Sequence, residues 1–194
     1  MNLNHILKPG SHVLFMKIGI HAREPLDEII RRKLREIEAT GSSFWGYGGN
    51  TCHPTSMVQP FAQEQVKQGH PIHLVMQKMT SNHWAEPLPA DEYSVDGHIW
   101  QPIPRGIEVR GSRYALVINN LRNADFGLPL GRTRVALGPS EGRVGIDYVS
   151  GRVDKACLQL EPNVDLPVPP EEQVAPIGLV AELRAPFAVF LRNK

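Results

Sequence analysis

The spacing of apolar residues along the chain predicts which segments form strands and which form helices. Residues His12–His21 are β-rich and mostly apolar, which predicts a central strand buried on both faces. Residues Pro25–Thr40 then predict a helix, with Gly41 placed to end it. Its apolar stripe is formed by Leu26, Ile29, Ile30, Leu34 and Ile37. We therefore expect the charged run 31–36 to be a solvated helix face.

The remaining pattern predicts one more helix and then a change to β structure. Residues Thr55–Gln68 are apolar at helical intervals, and Ile72–Gln77 is typical of a short strand. After about residue 90 the chain is predicted to be all β, with hairpins around Gly111-Ser112 and Ser150-Gly151. Strands are expected at Ile107–Val109, Tyr114–Ile118, Arg134–Leu137, Val144–Val149, Val153–Leu160 and Leu179–Leu191. The proline-rich stretch Pro162–Pro176 is expected to be an extended loop.

These elements together predict an α+β fold. A small α/β layer in the N-terminal half would pack on a mainly antiparallel sheet or small barrel in the C-terminal half. The length of 194 residues suits a single domain, 1–194. A subdivision into a helix-bearing half, 1–90, and a β-rich half, 91–194, is the alternative.

Composition narrows the class of protein. With 41% hydrophobic and 21% charged residues and a net charge of +1, the chain has the balance of a globular protein. It lacks an apolar run of about 18 residues, so we expect no membrane partner. The N-terminus has no signal-peptide pattern, which favours a cytoplasmic location. Cys52 and Cys157 are far apart and form no C-x-x-C motif, so both are expected to be reduced thiols.

The segment Gly41–Pro54, GSSFWGYGGNTCHP, carries the strongest functional signal. Its glycines let a ligand approach the main chain, and its free N–H groups ahead of a helix would suit a phosphate. Its aromatic side chains would offer a face on which a base can stack. The predicted ligand-binding residues are Phe44, Trp45, Gly46, Tyr47, Gly48, Gly49, Asn50 and Thr51. We therefore expect a nucleotide or a nucleotide-derived small molecule as the ligand of a sensor or sequestering protein.

Residues outside this segment are predicted to assist. His21 ends the first strand, where ligands collect in α/β layers. Arg152 and Lys155 would supply cations to a phosphate. The glycines match neither the P-loop nor the dinucleotide-binding pattern, so neither of those folds is predicted.

Two other functions remain open from the sequence. A hydrolase or transferase would use Cys52 and His53 as catalytic residues on a nucleotide-like substrate, with His21, His73 or His83 as a further base. Alternatively, Trp45 and Tyr47 would stack on RNA or single-stranded DNA. The region 105–155 has nine cations against five anions, which suits that partner. The sequence predicts no metal site and no cofactor. It leaves open whether the protein is an enzyme and what its oligomeric state is.

Overall fold

The computed structural model describes residues 6–83, 85–150, 153–166, 169 and 172–193. Within them the strands are β1 (His12–His21), β2 (Ser43–Tyr47), β3 (His73–His83), β4 (Glu92–Ser94), β5 (Trp100–Pro102), β6 (Tyr114–Leu128), β7 (Thr133–Val135), β8 (Lys155–Leu160) and β9 (Ala175–Arg192). The helices are α1 (Leu26–Thr40), α2 (Gln59–Lys67) and the short α3 (Gly145–Tyr148). A π-helical turn, Pro54–Val58, leads into α2, and a 3₁₀ turn, Leu130–Arg132, precedes β7.

Among the described residues the nine strands form one mainly antiparallel open sheet. Its order is β2-β6-β9-β3-β1-β8-β7, and β4 pairs with both β5 and β9. The pair β1–β3 is parallel, and the other pairs are antiparallel. The predicted α+β class with a mainly antiparallel sheet is therefore confirmed. The two halves of the chain share this sheet, since β1 and β3 lie between β9 and β8.

The central strand β1 is apolar because both of its faces are covered. Leu14 packs in the cluster beneath α1 and α2, whereas Val13 and Phe15 pack in a second cluster on the opposite face. Side chains alternate between faces along a strand, so a nearly continuous apolar run is what a doubly covered strand requires. The prediction for His12–His21 is confirmed with its bounds.

Long strands β6 and β9 form the other half of the sheet. Their register changes sharply between Leu116, which pairs with Ala188, and Ile118, which pairs with Leu183. Pro186 lies in the extra stretch of β9, where its lack of an N–H removes a donor from the ladder. On either side of this bulge β9 has different neighbours, β3 before it and β4 after it.

Helix α1 forms where the sequence predicts it and ends at Gly41, which has the left-handed φ of +81° and donates its N–H to Ile37 O. The prediction that the charged run is a solvated face is only partly right, since Arg31 and Arg35 are exposed but Lys33 and Glu36 are not. Lys33 and Glu36 are 2% and 5% exposed, whereas Leu34 is 43% exposed. The helix is rotated so that these two charges, and not Leu34, face the sheet.

Glu36 tolerates burial because four donors surround its carboxylate. It accepts hydrogen bonds from Ser43 Oγ at 2.5 Å, Lys33 Nζ at 2.9 Å, Glu108 N at 3.1 Å and Arg32 Nη1 at 3.3 Å. Buried charges persist only when they are paired and hydrogen-bonded in this way. The carboxylate thereby joins α1 to β2 and to the segment before β6.

Two predicted hairpins have a different structure. The residues 145–148 form the helix α3, with Tyr148 N–H bonded to Val144 O, so the predicted strand Val144–Val149 is wrong. Residues Ile107–Val109 do not pair with β6. Instead, Val109 O accepts from Ala90 N, and β6 pairs with β2 and β9. In both places local turn residues indicate a hairpin, but partners distant in sequence take the backbone hydrogen bonds.

None of the helices in the described ranges is long and apolar enough to cross a membrane.

We expect Glu36→Gln to lower the free energy of unfolding by about 3 kcal/mol, because it leaves the buried Lys33 ammonium without its carboxylate. Urea denaturation would measure this loss, with the exposed Glu38→Gln as a control that changes stability by less than about 0.5 kcal/mol. The double variant Lys33→Met, Glu36→Leu should lose less than Glu36→Gln, since it removes both charges. Equal stability of Glu36→Gln and Glu38→Gln would contradict this account of the helix interface.

Candidate functional site

A cavity of about 640 Å³ opens where β1 extends beyond β8. The ladder between these strands ends at Met16 and Lys155, after which Lys17 N still donates to Asp154 O at 2.7 Å. Within the described part of the chain, residues Ile18–His21 pair with β3 on one side and with no strand on the other. The walls come from the end of β1, the start of α1, the loop after β2, the residues before β6 and the start of β8. Its principal polar and aromatic lining residues are Lys17, His21, Glu24, Arg32, Lys33, Trp45, Tyr47, Asn50, Thr51, Arg110, Ser112, Asp154 and Lys155.

Glycines shape the wall contributed by β2 and the loop that follows it. A Cβ atom on Gly46 would collide with Ser112 Oγ and lie 2.7 Å from Val109 Cγ2, so only glycine fits there. Gly49 has φ +83°, and its Cβ position is 3.5 Å from Lys155 Nζ. Gly48, in contrast, faces open space. We call residues Gly48–Thr51 the glycine loop.

The main-chain donors of the glycine loop are unused. In the described structure, the N–H groups of residues 48–51 donate to no protein acceptor. Successive unpartnered N–H groups form a concave surface that favours an anion. The Lys155 ammonium beside Gly49 adds a full positive charge to the same region.

Two lysines lie on adjacent strands here, and of the two it is Lys155 that directs its ammonium toward the glycine loop. Lys155 is 3% exposed, and its Nζ bonds to Asp154 Oδ1 and lies 5.9 Å from the centre of the Tyr47 ring. Lys17 Nζ donates to Val149 O at 2.6 Å. Among the described residues, no carboxylate lies within ion-pair distance of Lys17. Lys17 alternates with Met16 and Ile18 along β1, so its side chain lies on the face of Phe15, and its partner Val149 is outside the cavity lining.

The wall formed by α1 contains a bidentate ion pair. Arg32 Nη2 and Nε contact the two carboxylate oxygens of Glu24 at 2.5 and 3.1 Å, and Arg32 Nη1 donates to Glu108 O at 2.5 Å. Burial opposes ionisation of Glu24, but the hydrogen bond and charge of Arg32 outweigh it and lower the pKa of Glu24. Both groups are therefore charged at neutral pH, and they fix the start of α1 against the end of β1.

Lys33 lies in the same wall with its ammonium bonded to Glu36 Oε2 and, at 2.5 Å, to Glu108 O. Burial lowers its pKa to about 8, although the charge of Glu36 acts in the opposite direction. This ammonium is therefore closer to losing its proton at neutral pH than that of an exposed lysine.

The turn after β1 is strained. Ala22 and Arg23 have φ of +49° and +64°, and the main chains of His21 and Glu24 exchange two hydrogen bonds of 3.2 and 2.9 Å around them. Two consecutive non-glycine residues with positive φ cost about 1–2 kcal/mol each. The turn holds His21 in the cavity wall, where Nε2 lies 3.1 Å from Ser112 Oγ and 3.2 Å from Arg110 O.

The predicted aromatic residues divide between two faces of the sheet. Trp45 and Tyr47 line the cavity, but each is at most 5% exposed. Burial raises the pKa of Tyr47, whose hydroxyl donates to Cys52 O at 2.7 Å. Phe44 points away from the cavity and packs edge-on against Tyr93 with ring centres 5.4 Å apart.

The proposed catalytic pair also lies outside the cavity lining. Cys52 is 1% exposed, and its free thiol shares a hydrogen bond with the free thiol of Cys157. This contact and burial raise the pKa of Cys157. The His53 ring packs edge-on against Tyr114 and Phe190 at 5.5 and 5.2 Å. His73, one of the suggested bases, lines a separate cleft.

The structure thus brings together His21, Trp45, Lys155 and residues Gly46–Thr51 around one cavity. Arg152 lies outside the described residues. Sequence reasoning missed Lys17, Lys33 and Ser112. The sequence did contain a signal for Lys17, because a lysine within a buried apolar strand needs polar surroundings for its ammonium group. Ser112 had none, since its partner His21 is distant in sequence.

Across the described ranges, no group of three or more His, Cys, Asp or Glu side chains is arranged to hold a metal ion. The chain matches no protein-family model, no curated protein sequence and no solved structure.

We expect the free energy of unfolding of the wild type, relative to that of Lys33→Met, to rise by about 1–3 kcal/mol as the pH increases from about 8 to 10.5. The lower limit is the pKa of Lys33 in the folded protein, and the upper limit is the ordinary pKa of a lysine. In this range the unfolded chain binds a proton at Lys33 that the folded protein has released. Below about pH 8 both states hold the proton, so the difference stays constant there. Urea denaturation across this pH range measures the effect. The exposed Lys67→Met should follow the wild-type curve, and identical pH dependence in Lys33→Met would contradict the assignment.

Proposed function

We propose that this protein binds a nucleotide or a nucleotide-derived small molecule in the cavity beside β1. The observation that carries the proposal is the set of unpartnered N–H groups in the glycine loop next to the Lys155 ammonium group. Charge-assisted hydrogen bonds from such groups suit the oxygens of a phosphate. Sensing or sequestering the ligand needs no chemistry beyond this recognition.

The other side of the cavity supplies contacts for a base or sugar. Ile20 and Met79 line the cavity and are each 39% exposed, so they offer apolar surface to a planar ring. Ser112 and His21 offer a hydroxyl and an imidazole to polar edges. Trp45 contributes a small exposed part of its indole. Ligand pockets commonly combine an apolar lining with a few polar groups in this way.

The volume of the cavity supports a small ligand. Pockets for small molecules usually enclose about 300–1,000 Å³, and this cavity has about 640 Å³. A single-stranded nucleic acid instead needs aromatic faces exposed along a track. Phe44, Trp45 and Tyr47 are each no more than 5% exposed, which favours a small molecule over RNA or DNA.

We expect Gly48→Leu to abolish binding without unfolding the protein, because its side chain would enter open space at the cavity wall. Thermal-shift measurements with mono-, di-, cyclic and nicotinamide nucleotides would find a ligand that raises the wild-type midpoint. This test is cleaner than Trp45→Ala, which would also remove core packing.

The matched control is Gly131→Leu, since Gly131 also faces open space but lies outside the cavity lining. It should retain the full nucleotide shift. Absence of a shift with every nucleotide class in the wild-type protein would contradict the proposal.

We expect Lys155→Met to weaken nucleotide binding by about ten- to hundredfold, the value of one charge-assisted hydrogen bond. Titration calorimetry would measure the dissociation constants. Lys78→Met is the control, since Lys78 is exposed and lies outside the cavity lining. Equal affinities of Lys155→Met and Lys78→Met would contradict this assignment of the phosphate site.

A further inference from the structure

The cavity contains a hydroxyl and an imidazole in the geometry of a nucleophile and its base. Ser112 Oγ lies 3.1 Å from His21 Nε2, and both residues line the cavity. A general base must lie within about 2.6–3.2 Å of the group whose proton it takes. This pair is distinct from Cys52 and His53, whose side chains do not line the cavity.

Several features of the backbone hold the pair together. His21 precedes the strained Ala22-Arg23 turn, and Gly111, with φ +57°, precedes Ser112. A Cβ on Gly111 would lie 2.8 Å from Ala22 Cβ, so the two turns fit only with glycine at this position. Gly46 similarly leaves room for Ser112 Oγ. Strain of this kind concentrates at functional sites, where the surrounding structure enforces it.

The hydroxyl proton of Ser112 has two acceptors within reach. Ser112 Oγ donates to Arg110 O at 3.0 Å, and rotation about its Cβ–Oγ bond directs the same proton to His21 Nε2. This second arrangement requires His21 to carry its proton on Nδ1. In that tautomer Nε2 accepts from Ser112, which is the state of a general base, and gives up the hydrogen bond that a protonated Nε2 donates to Arg110 O at 3.2 Å.

Donors that suit a developing negative charge line the same cavity as the pair. Gly46 contacts Ser112, and the glycine loop begins two residues later, about 7 Å along the strand. The reaction requires a phosphate that reaches from the loop amides and Lys155 to Ser112, and all of these groups line the same cavity. Preorganised donors of this kind stabilise the transition state of phosphoryl transfer.

We propose that the cavity hydrolyses a phosphoester bond of its ligand, with Ser112 as the nucleophile and His21 as the general base. The identity of the substrate as nucleotide-like rests on the function proposed above.

In the first step Ser112 Oγ attacks phosphorus, the new Oγ–P bond forms, and the bond from phosphorus to the leaving oxygen breaks. The Ser112 proton passes to His21 Nε2 and then to the leaving oxygen. In the second step water attacks the phosphoserine, gives its proton to His21 and releases phosphate from Ser112. The serine recovers the proton, so one water is consumed for each bond that is hydrolysed.

An alkyl fluorophosphonate tests the nucleophile without knowledge of the natural ligand, because it forms an Oγ–P bond with loss of fluoride. We expect intact-mass analysis to show one adduct, and peptide mapping to place it on Ser112. Ser112→Ala should form none, and His21→Gln should react at least about a hundredfold more slowly. Ser56→Ala, which removes an exposed hydroxyl outside the cavity lining, should react like the wild type. Hydrolysis of bis(p-nitrophenyl) phosphate should follow the same order.

Retention of nucleotide thermal shifts in Ser112→Ala and His21→Gln would show that both variants are folded and that their loss of reactivity is chemical. The labelling rate of the wild type should rise with pH through the range in which imidazole titrates, and this rise should vanish in His21→Gln. A wild type that binds nucleotides but forms no adduct would overturn the catalytic proposal and leave the binding function intact. An adduct on Ser112 without any nucleotide shift would support the catalytic pair and overturn only the ligand class.

Discussion

The functional architecture depends on the difference in length between two paired strands. β8 stops opposite Met16, whereas β1 continues to His21. Beyond that point one edge of β1 has no strand partner among the described residues, and the cavity occupies the space. Polar side chains of the lining, among them Glu24 and Lys155, face the same cavity.

The wall opposite β1 is built from charges that would ordinarily lie on the surface. Arg32, Lys33 and Glu36 form a connected network that reaches the Glu108 main chain and Ser43. The network orients α1, and α1 in turn holds Glu24 at the strained turn through Arg32. The same residues therefore stabilise the fold and fix the geometry of the site. The arrangement explains why the helix turns two charged side chains inward and leaves Leu34 exposed.

Much of the fold and part of the site could be predicted from local sequence. β1 and α1 have strong patterns and form within one residue of the predicted bounds. The glycine-rich segment was predicted to carry the site, and residues Gly46–Thr51 do line the cavity. In contrast, Phe44 and Trp45 are adjacent in sequence and face opposite sides of the sheet, because neighbouring side chains alternate along a strand. The α3 segment has strand-like residues, but its backbone closes a helical turn.

The sequence by itself determined the α+β class, the central strand, the first helix and the segment of glycines at the cavity. These features depend on periodicity and backbone freedom, which are properties of nearby residues. Only the tertiary structure decided that β1 extends beyond β8, that Lys33 and Glu36 are buried, and that His21 contacts Ser112. These relations join residues far apart in the chain. Strand order, register and helix rotation set them, and a single sequence contains no local signal for such pairings.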